Sequence, residues 1–183
     1  MNIKEYIFRH KYRRLQKQEP RPAVYHSYRT VRRILLLFES DLLERNVQTK
    51  ALIKQPQQDG KQVTARGFVP GKKVAQSAIL RDYRVLAQQD FTSWGWPQEQ
   101  QIKDLQLEEY DLIIDLNVSQ LLQLRYLSFY ARADFRCGML TPAPCLADFQ
   151  IDLTHTNAPE AAPEQPENKT AAEVVNSAIN PAY

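Results

Sequence analysis

The sequence predicts an α/β fold: a three-layer, Rossmann-like sandwich with a mostly parallel five- or six-stranded sheet, a basic N-terminal helix and a disordered C-terminal tail. Three observations carry that expectation. Short apolar runs alternate with stretches of helical periodicity, the order that builds parallel strands joined by covering helices. The run Ile34-Leu35-Leu36-Leu37-Phe38 holds no polar residue, as expected of a strand buried on both faces. Turn-forming residues, among them Asp59-Gly60 and Pro70-Gly71, punctuate the transitions.

Residues Ile3 to Gln18 read as a basic amphipathic helix. Ile3, Tyr6 and Ile7 share one face, and Lys4, Arg9, Lys11, Arg13, Arg14 and Lys17 spread over the rest. Glu19-Pro20-Arg21-Pro22 ends it, because proline lacks an N–H and pushes the preceding residue toward extended backbone. Residues 1–19 are thus a helical arm and 20–32 a linker holding Tyr25, His26 and Tyr28. The sheet domain spans 33–154 and opens with the strand at Ile34. Asp41 and Glu44 then stand at capping-box spacing for a helix along which Leu43, Val47 and Ala51 recur, with Leu52 beside them and Pro56 as the stop. Val63 to Val69 is the second strand, Lys72 to Leu80 a short helix, and Tyr83 to Gln88 the third strand.

The turn Asp90-Phe91-Thr92-Ser93-Trp94-Gly95-Trp96 leads to Pro97, suited to the first position of a helix running to Leu107. Tyr110 to Leu116 is the fourth strand. Ser119 is placed to cap the next helix, which carries Leu121, Leu122, Leu124, Leu127 and Phe129. Phe135 to Met139 and Phe149 to Leu153 supply two more strands. The last alternates Phe149, Ile151 and Leu153 with polar residues, the pattern of an edge strand. Residues 155–183 are rich in Ala, Pro, Glu and Asn, with too few large apolar side chains to offset the entropy of ordering them.

Charge is distributed unevenly. The whole chain of 183 residues carries +3, but Met1 to Ile34 carries +8 and His155 to Tyr183 carries −3, leaving −2 for the stretch between. An acidic partner would therefore meet the first segment. Cys137 and Cys145 are too few for a disulfide framework and too far apart for a CxxC site. Near the N-terminus only Ile7-Phe8 is an apolar pair, no secretory h-region, and no run is long enough for a transmembrane span. A cytoplasmic location is the expectation.

The run YDLIIDLNVSQLLQLRYLSFYARADFRCGM (110–139), the strand at Ile34, GFVP (67–70) and DFTSWGWP (90–97) together resemble an uncharacterised Bacteroidota family of small Rossmann-like proteins, known only as a domain of unknown function. The likeness covers Ile3 to Leu153. It implies a bacterial cytoplasmic protein and brings no activity with it. The chain departs from that family in having a polar tail where a C-terminal helix follows the last strand. Residues 110–139 are also locally similar to a strand-helix-strand unit in the N-terminal half of lipopolysaccharide heptosyltransferases. Those enzymes need two Rossmann halves, and this chain has room for one, so no catalytic residue carries over.

In open α/β sheets ligands bind beyond the carboxyl ends of the strands. Those ends offer Glu39, Ser40 and Asp41, then Asp90, then Asp115 with Asn117. The competing reading makes Ser40, Asp41 and Ser119 helix caps and the rest solvated loop residues. With no GxGxxG, Walker loop or GxSxG, no cofactor and no nucleophile elbow is expected. His10, His26 and His155 share no ligand spacing with the cysteines, so no metal is expected. Trp94 and Trp96, if extended, point the same way and could stack on a base; alternatively they plug the core. The candidate ligand-binding set is Ser40, Asp90, Trp94, Trp96 and Asn117.

The basic helix has three readings. It docks on the domain with its cations solvated, it lies on an anionic membrane, or it contacts nucleic-acid phosphates with Tyr6, Tyr12, Tyr25 and Tyr28 interleaved. The leading expectation is a non-enzymatic binding or adaptor module. Its Arg9, Lys11, Arg13, Arg14 and Lys17, helped by Arg29, Arg32 and Arg33, meet nucleic acid or ribonucleoprotein. The alternative is a small-molecule ligand or enzyme remnant site at the strand ends.

Overall fold

The apolar run at Ile34 becomes a strand because it can bury both its faces. A computed structural model of the chain describes residues 3–18, 21–40, 47–71, 83–141 and 145–152. Six strands form one sheet: β1 (Arg33–Glu39), β2 (Gln62–Phe68), β3 (Tyr83–Leu86), β4 (Glu109–Leu116), β5 (Arg132–Met139) and β6 (Phe149–Ile151). Their order is β3-β2-β1-β4-β5-β6, and every pairing is parallel. That is the order of a doubly wound sheet, whose direction of winding reverses between β1 and β4. β1 is central, with Leu36 opposite Ala65 on one side and Ile114 on the other. β6 is the edge strand expected from its alternation.

Two cores flank the sheet, as the period-2 alternation of strand side chains dictates. Leu35 and Leu37 join Phe68, Leu105, Ile113, Leu124 and Leu127 on the face covered by α3 (Glu99–Gln106) and α4 (Leu122–Tyr130). Ile34, Leu36 and Phe38 join Val63 and Ala65 on the other face, with Ile53 of α2 (Val47–Gln58) against them. Each of these β1 side chains is at most 1% exposed, and burying each contributes roughly 1.5–3 kcal/mol.

A third cluster seats the N-terminal helix. β5 and β6 are parallel neighbours joined by residues 140–148, too few for a covering helix. α1 (Ile3–Gln18) lies against α4 instead: Phe8 meets Tyr126 edge-on at 4.9 Å, and Leu146 of the β5–β6 connection joins them. The helix bounds agree with expectation, but the buried face does not. Ile3 and Tyr6 are 64% and 56% exposed, and the inner face is built on Phe8 and Tyr12. These aromatics outcompete Ile3 and Tyr6 because Tyr126 and Phe129 offer them rings to pack on.

Three further expectations are corrected. Pro56 lies inside α2 and is buried, with Lys61 N–H closing the end of the helix onto the Pro56 carbonyl; Ala51 and Leu52 face outward and Ile53 packs inward. Pro97 does not begin α3. It bridges to Phe91, since Thr92 and Gln98 N–H donate to the Trp96 and Asp90 carbonyls and close a small hairpin ahead of the helix. Ser119 does not cap α4; Leu121 occupies that position, and Ser119 is drawn to Glu39. Asp41, Leu43 and Glu44, the helix expected over 72–80 and the tail from 155 lie outside the described residues.

Candidate functional site

The winding reversal places the ends of β1 and β4 side by side, where a doubly wound sheet opens its ligand crevice. The side chains there bind one another. Glu39, the last residue of β1, accepts hydrogen bonds from the Ser119 backbone N–H and, at 2.6 Å, from its hydroxyl, bridging the reversal. Asn117 holds the entrance to α4: its Oδ1 accepts from Leu121 N–H at 2.7 Å and its Nδ2 donates to the Leu121 carbonyl at 2.9 Å. Between them Gln120 takes the left-handed conformation (φ 57°), uncommon for a residue with a Cβ.

Asp90 is engaged too. Its carboxylate accepts from Ala87 N–H at 2.9 Å and lies 3.4 Å from both Arg84 and Gln101 donors. Ser40 differs. Its N–H donates to the Phe68 carbonyl, but its buried hydroxyl has no hydrogen-bond partner among the described residues. Asp115 sits beside this edge, lining a cavity of about 20 Å³ with Gln120, Arg125 and Gly138. That volume holds a single water. Burial pushes the Asp115 carboxyl up to about 7, against the opposing pull of the Asn117 N–H and of Arg125.

The two tryptophans part company. Gly95 has φ +84°, so the segment turns instead of extending. Trp96 goes inward, 6.4 Å from Tyr126, with the Lys11 ammonium 4.8 Å from its ring centroid. Trp94 stays out, 48% exposed.

Along α1 the cations divide in the same way. Lys11 is drawn in over Trp96 and Tyr130 and donates to the Tyr130 hydroxyl. Arg9 pairs with Glu5 at 3.1 Å, and Glu5 also meets the buried Arg125 at 2.7 Å. Burial opposes ionisation of Glu5, but Arg125 and Arg9 together hold its carboxyl below its ordinary range. Arg13, Arg14 and Lys17 are exposed, and none forms an ion pair with another described residue. Ile3, Tyr6, His10, Arg13, Arg14 and Lys17 fall within an arc of about 100° at 100° per residue, so the outward face is one continuous stripe.

The other tyrosines of the interleaved set are engaged. Tyr12 donates to the Cys145 carbonyl at 2.8 Å, Tyr28 to Asp59 at 2.6 Å, and Tyr25 packs edge-on to Phe135. Of the supporting arginines, Arg32 and Arg33 give their backbone N–H groups to Asp111, and Arg29 is exposed. The Glu5–Arg125 pair had one legible signal, since Phe8 and Tyr12 at a four-residue step mark the true inner face and put Glu5 at its rim. Gln120 had none, because glutamine carries no turn preference of its own.

Among the described residues no cluster of His, Cys, Asp or Glu is arranged to hold a metal ion, and no helix is long and apolar enough to cross a membrane. The profile of a family of unknown function, DUF6913, matches residues 4–165. No curated protein and no solved structure matches the chain.

Proposed function

The chain belongs to the DUF6913 family, a family of unknown function, and from its geometry we propose that it is a non-enzymatic cytoplasmic binding module whose α1 outer face contacts nucleic acid or a ribonucleoprotein. One observation carries this reading: Arg13, Arg14 and Lys17 line a single exposed helix face with no acidic partner among the described residues. Cations gathered on one face without counter-charges form the electrostatic footprint of a phosphate-binding surface. Arg9 and Lys11, turned toward Glu5 and Trp96, anchor the helix that presents that face.

The test is binding of a fluorescent oligoribonucleotide as a function of salt. Three phosphate contacts on a single strand give a slope of log K against log salt of about −2. The triple variant Arg13→Glu, Arg14→Glu, Lys17→Glu should abolish binding while keeping the wild-type melting temperature. Undiminished binding by that variant would refute the reading. A second reading, a small-molecule site at the strand ends, is favoured by Ser40 alone, whose buried hydroxyl, one residue beyond β1, lacks a partner among the described residues.

A further inference from the structure

We infer that the partner of the α1 stripe is single-stranded nucleic acid, with Arg13, Arg14 and Lys17 on its phosphates and the exposed rings of Tyr6 and Trp94 against its bases. This rests on the reading above and narrows it.

Duplex RNA offers a docked helix only its phosphates and 2′-hydroxyls, because its major groove is too deep and narrow for side chains to read. α1 is not free. Phe8 and Tyr12 are packed on α4 and the β5–β6 connection, with Tyr12 bonded to the Cys145 carbonyl. On one flank Lys4 donates to the Ser93 carbonyl at 2.8 Å and Lys11 lies over Trp96, so the 91–97 loop is held against the helix. On the other flank Glu5 ties Arg9 to Arg125. What remains is the outer arc of about 100°, a shallow strip that a flexible single strand can follow.

Tyr6 lies inside the stripe, one helical turn from His10 and two from Arg13, and is 56% exposed. Trp94 flanks the amino-terminal end of the helix, beside the Ser93 that Lys4 binds, and is 48% exposed. Neither ring has an aromatic contact among the described residues, whereas Phe8, Tyr12, Trp96, Tyr126, Phe129 and Tyr130 stack on one another below. An exposed ring in line with cations that pair with no described residue is a platform on which unpaired bases stack, and Trp94 adds a second exposed ring at the helix's amino-terminal flank; in a duplex those base faces are occupied by their neighbours. Tyr6 to Lys17 extends about 16 Å along the helix, so the Tyr6 ring and the three cations fit along one strand, whose end would reach Trp94 at the amino-terminal flank.

The experiment compares a labelled oligouridylate with a blunt RNA duplex of equal length by fluorescence anisotropy, at one low salt concentration. The proteins are the full chain, Tyr6→Ala/Trp94→Ala, and Arg13→Glu/Arg14→Glu/Lys17→Glu. The single strand should bind at least about tenfold more tightly than the duplex, and loss of both rings should weaken it by about tenfold or more. Duplex binding by the ring variant should stay within about twofold of wild type, since phosphate contacts do not involve the rings. Equal affinity for strand and duplex, or a ring variant that binds the strand like wild type, overturns this inference; the charge reversal still weakening both nucleic acids would then leave the broader reading standing. Should neither nucleic acid bind while equal-part phosphatidylserine–phosphatidylcholine vesicles do, both fall together.

Discussion

The carboxyl ends of the strands and the outer face of α1 are both rich in polar side chains, yet they stand in largely opposite states. At the strand ends Glu39 holds Ser119, Asn117 holds Leu121, and Asp90 holds Ala87 and neighbours Arg84 and Gln101. On α1, Arg13, Arg14 and Lys17 form no ion pair with any described residue. Buried polar groups are in the main partnered within the fold, with the Ser40 hydroxyl and Gln120 Oε1 the exceptions at the strand ends among the described residues, whereas solvated cations need no partner. A partner is therefore to be sought where polar groups face water, since those consumed by the fold maintain it.

The sharpest test lies within α1 itself. Phe8→Ala removes a ring that is 1% exposed between α4 and the β5–β6 connection, and should cost about 3–5 kcal/mol in urea-induced unfolding. Tyr6→Ala, on the opposite face, should stay within about 0.5 kcal/mol. Similar losses for the two would mean that α1 does not dock by the face described.

Asp115 probes the strand ends. Its folded carboxyl titrates near 7 because it is buried, against an ordinary value of 3.8, with Arg125 of α4, Arg136 of β5 and Glu39 of β1 the charged groups around it. The protonated form is therefore favoured by folding. That contribution is complete below about pH 4 and is lost as pH rises through 7, so this group alone lowers stability by roughly 3 kcal/mol between pH 5 and pH 8. Asp115→Asn, which keeps an acceptor for the Asn117 N–H, should flatten the stability profile over that range. An unchanged profile would show that the carboxyl is ionised throughout.

The smallest effect separates two neighbouring cations. Lys11→Met should lose about 1 kcal/mol of stability, because the ammonium sits over the Trp96 and Tyr130 rings. Arg13→Met should leave stability unchanged within about 0.5 kcal/mol and weaken nucleic-acid binding instead. The melting temperature and the anisotropy titration together read out both.

Much of this was legible from the chain. The strands at Ile34 and Tyr110 follow from uninterrupted apolar runs, and the end of α1 from the prolines after it, because both signals are local. Ser119 and Pro97 were misplaced because their local preferences as cap and first helical residue lost to contacts made elsewhere: a glutamate eighty positions away for Ser119, a bridge to Phe91 for Pro97. For Trp94 and Trp96 the glycine between them was visible, but its positive φ was not, and that angle turns one ring inward and the other outward.

By itself, the sequence determined that parallel strands alternate with helices, that the charge is concentrated at the beginning of the chain, and that a helix carries it, since hydrophobic period, proline and net charge are properties of neighbours along the chain. Only the tertiary structure decided which cations remain outside. Lys11 and Arg13 are alike on paper, and they part because an indole and a phenol from distant segments meet one of them and nothing described meets the other. That choice depends on packing in three dimensions, which no local pattern encodes.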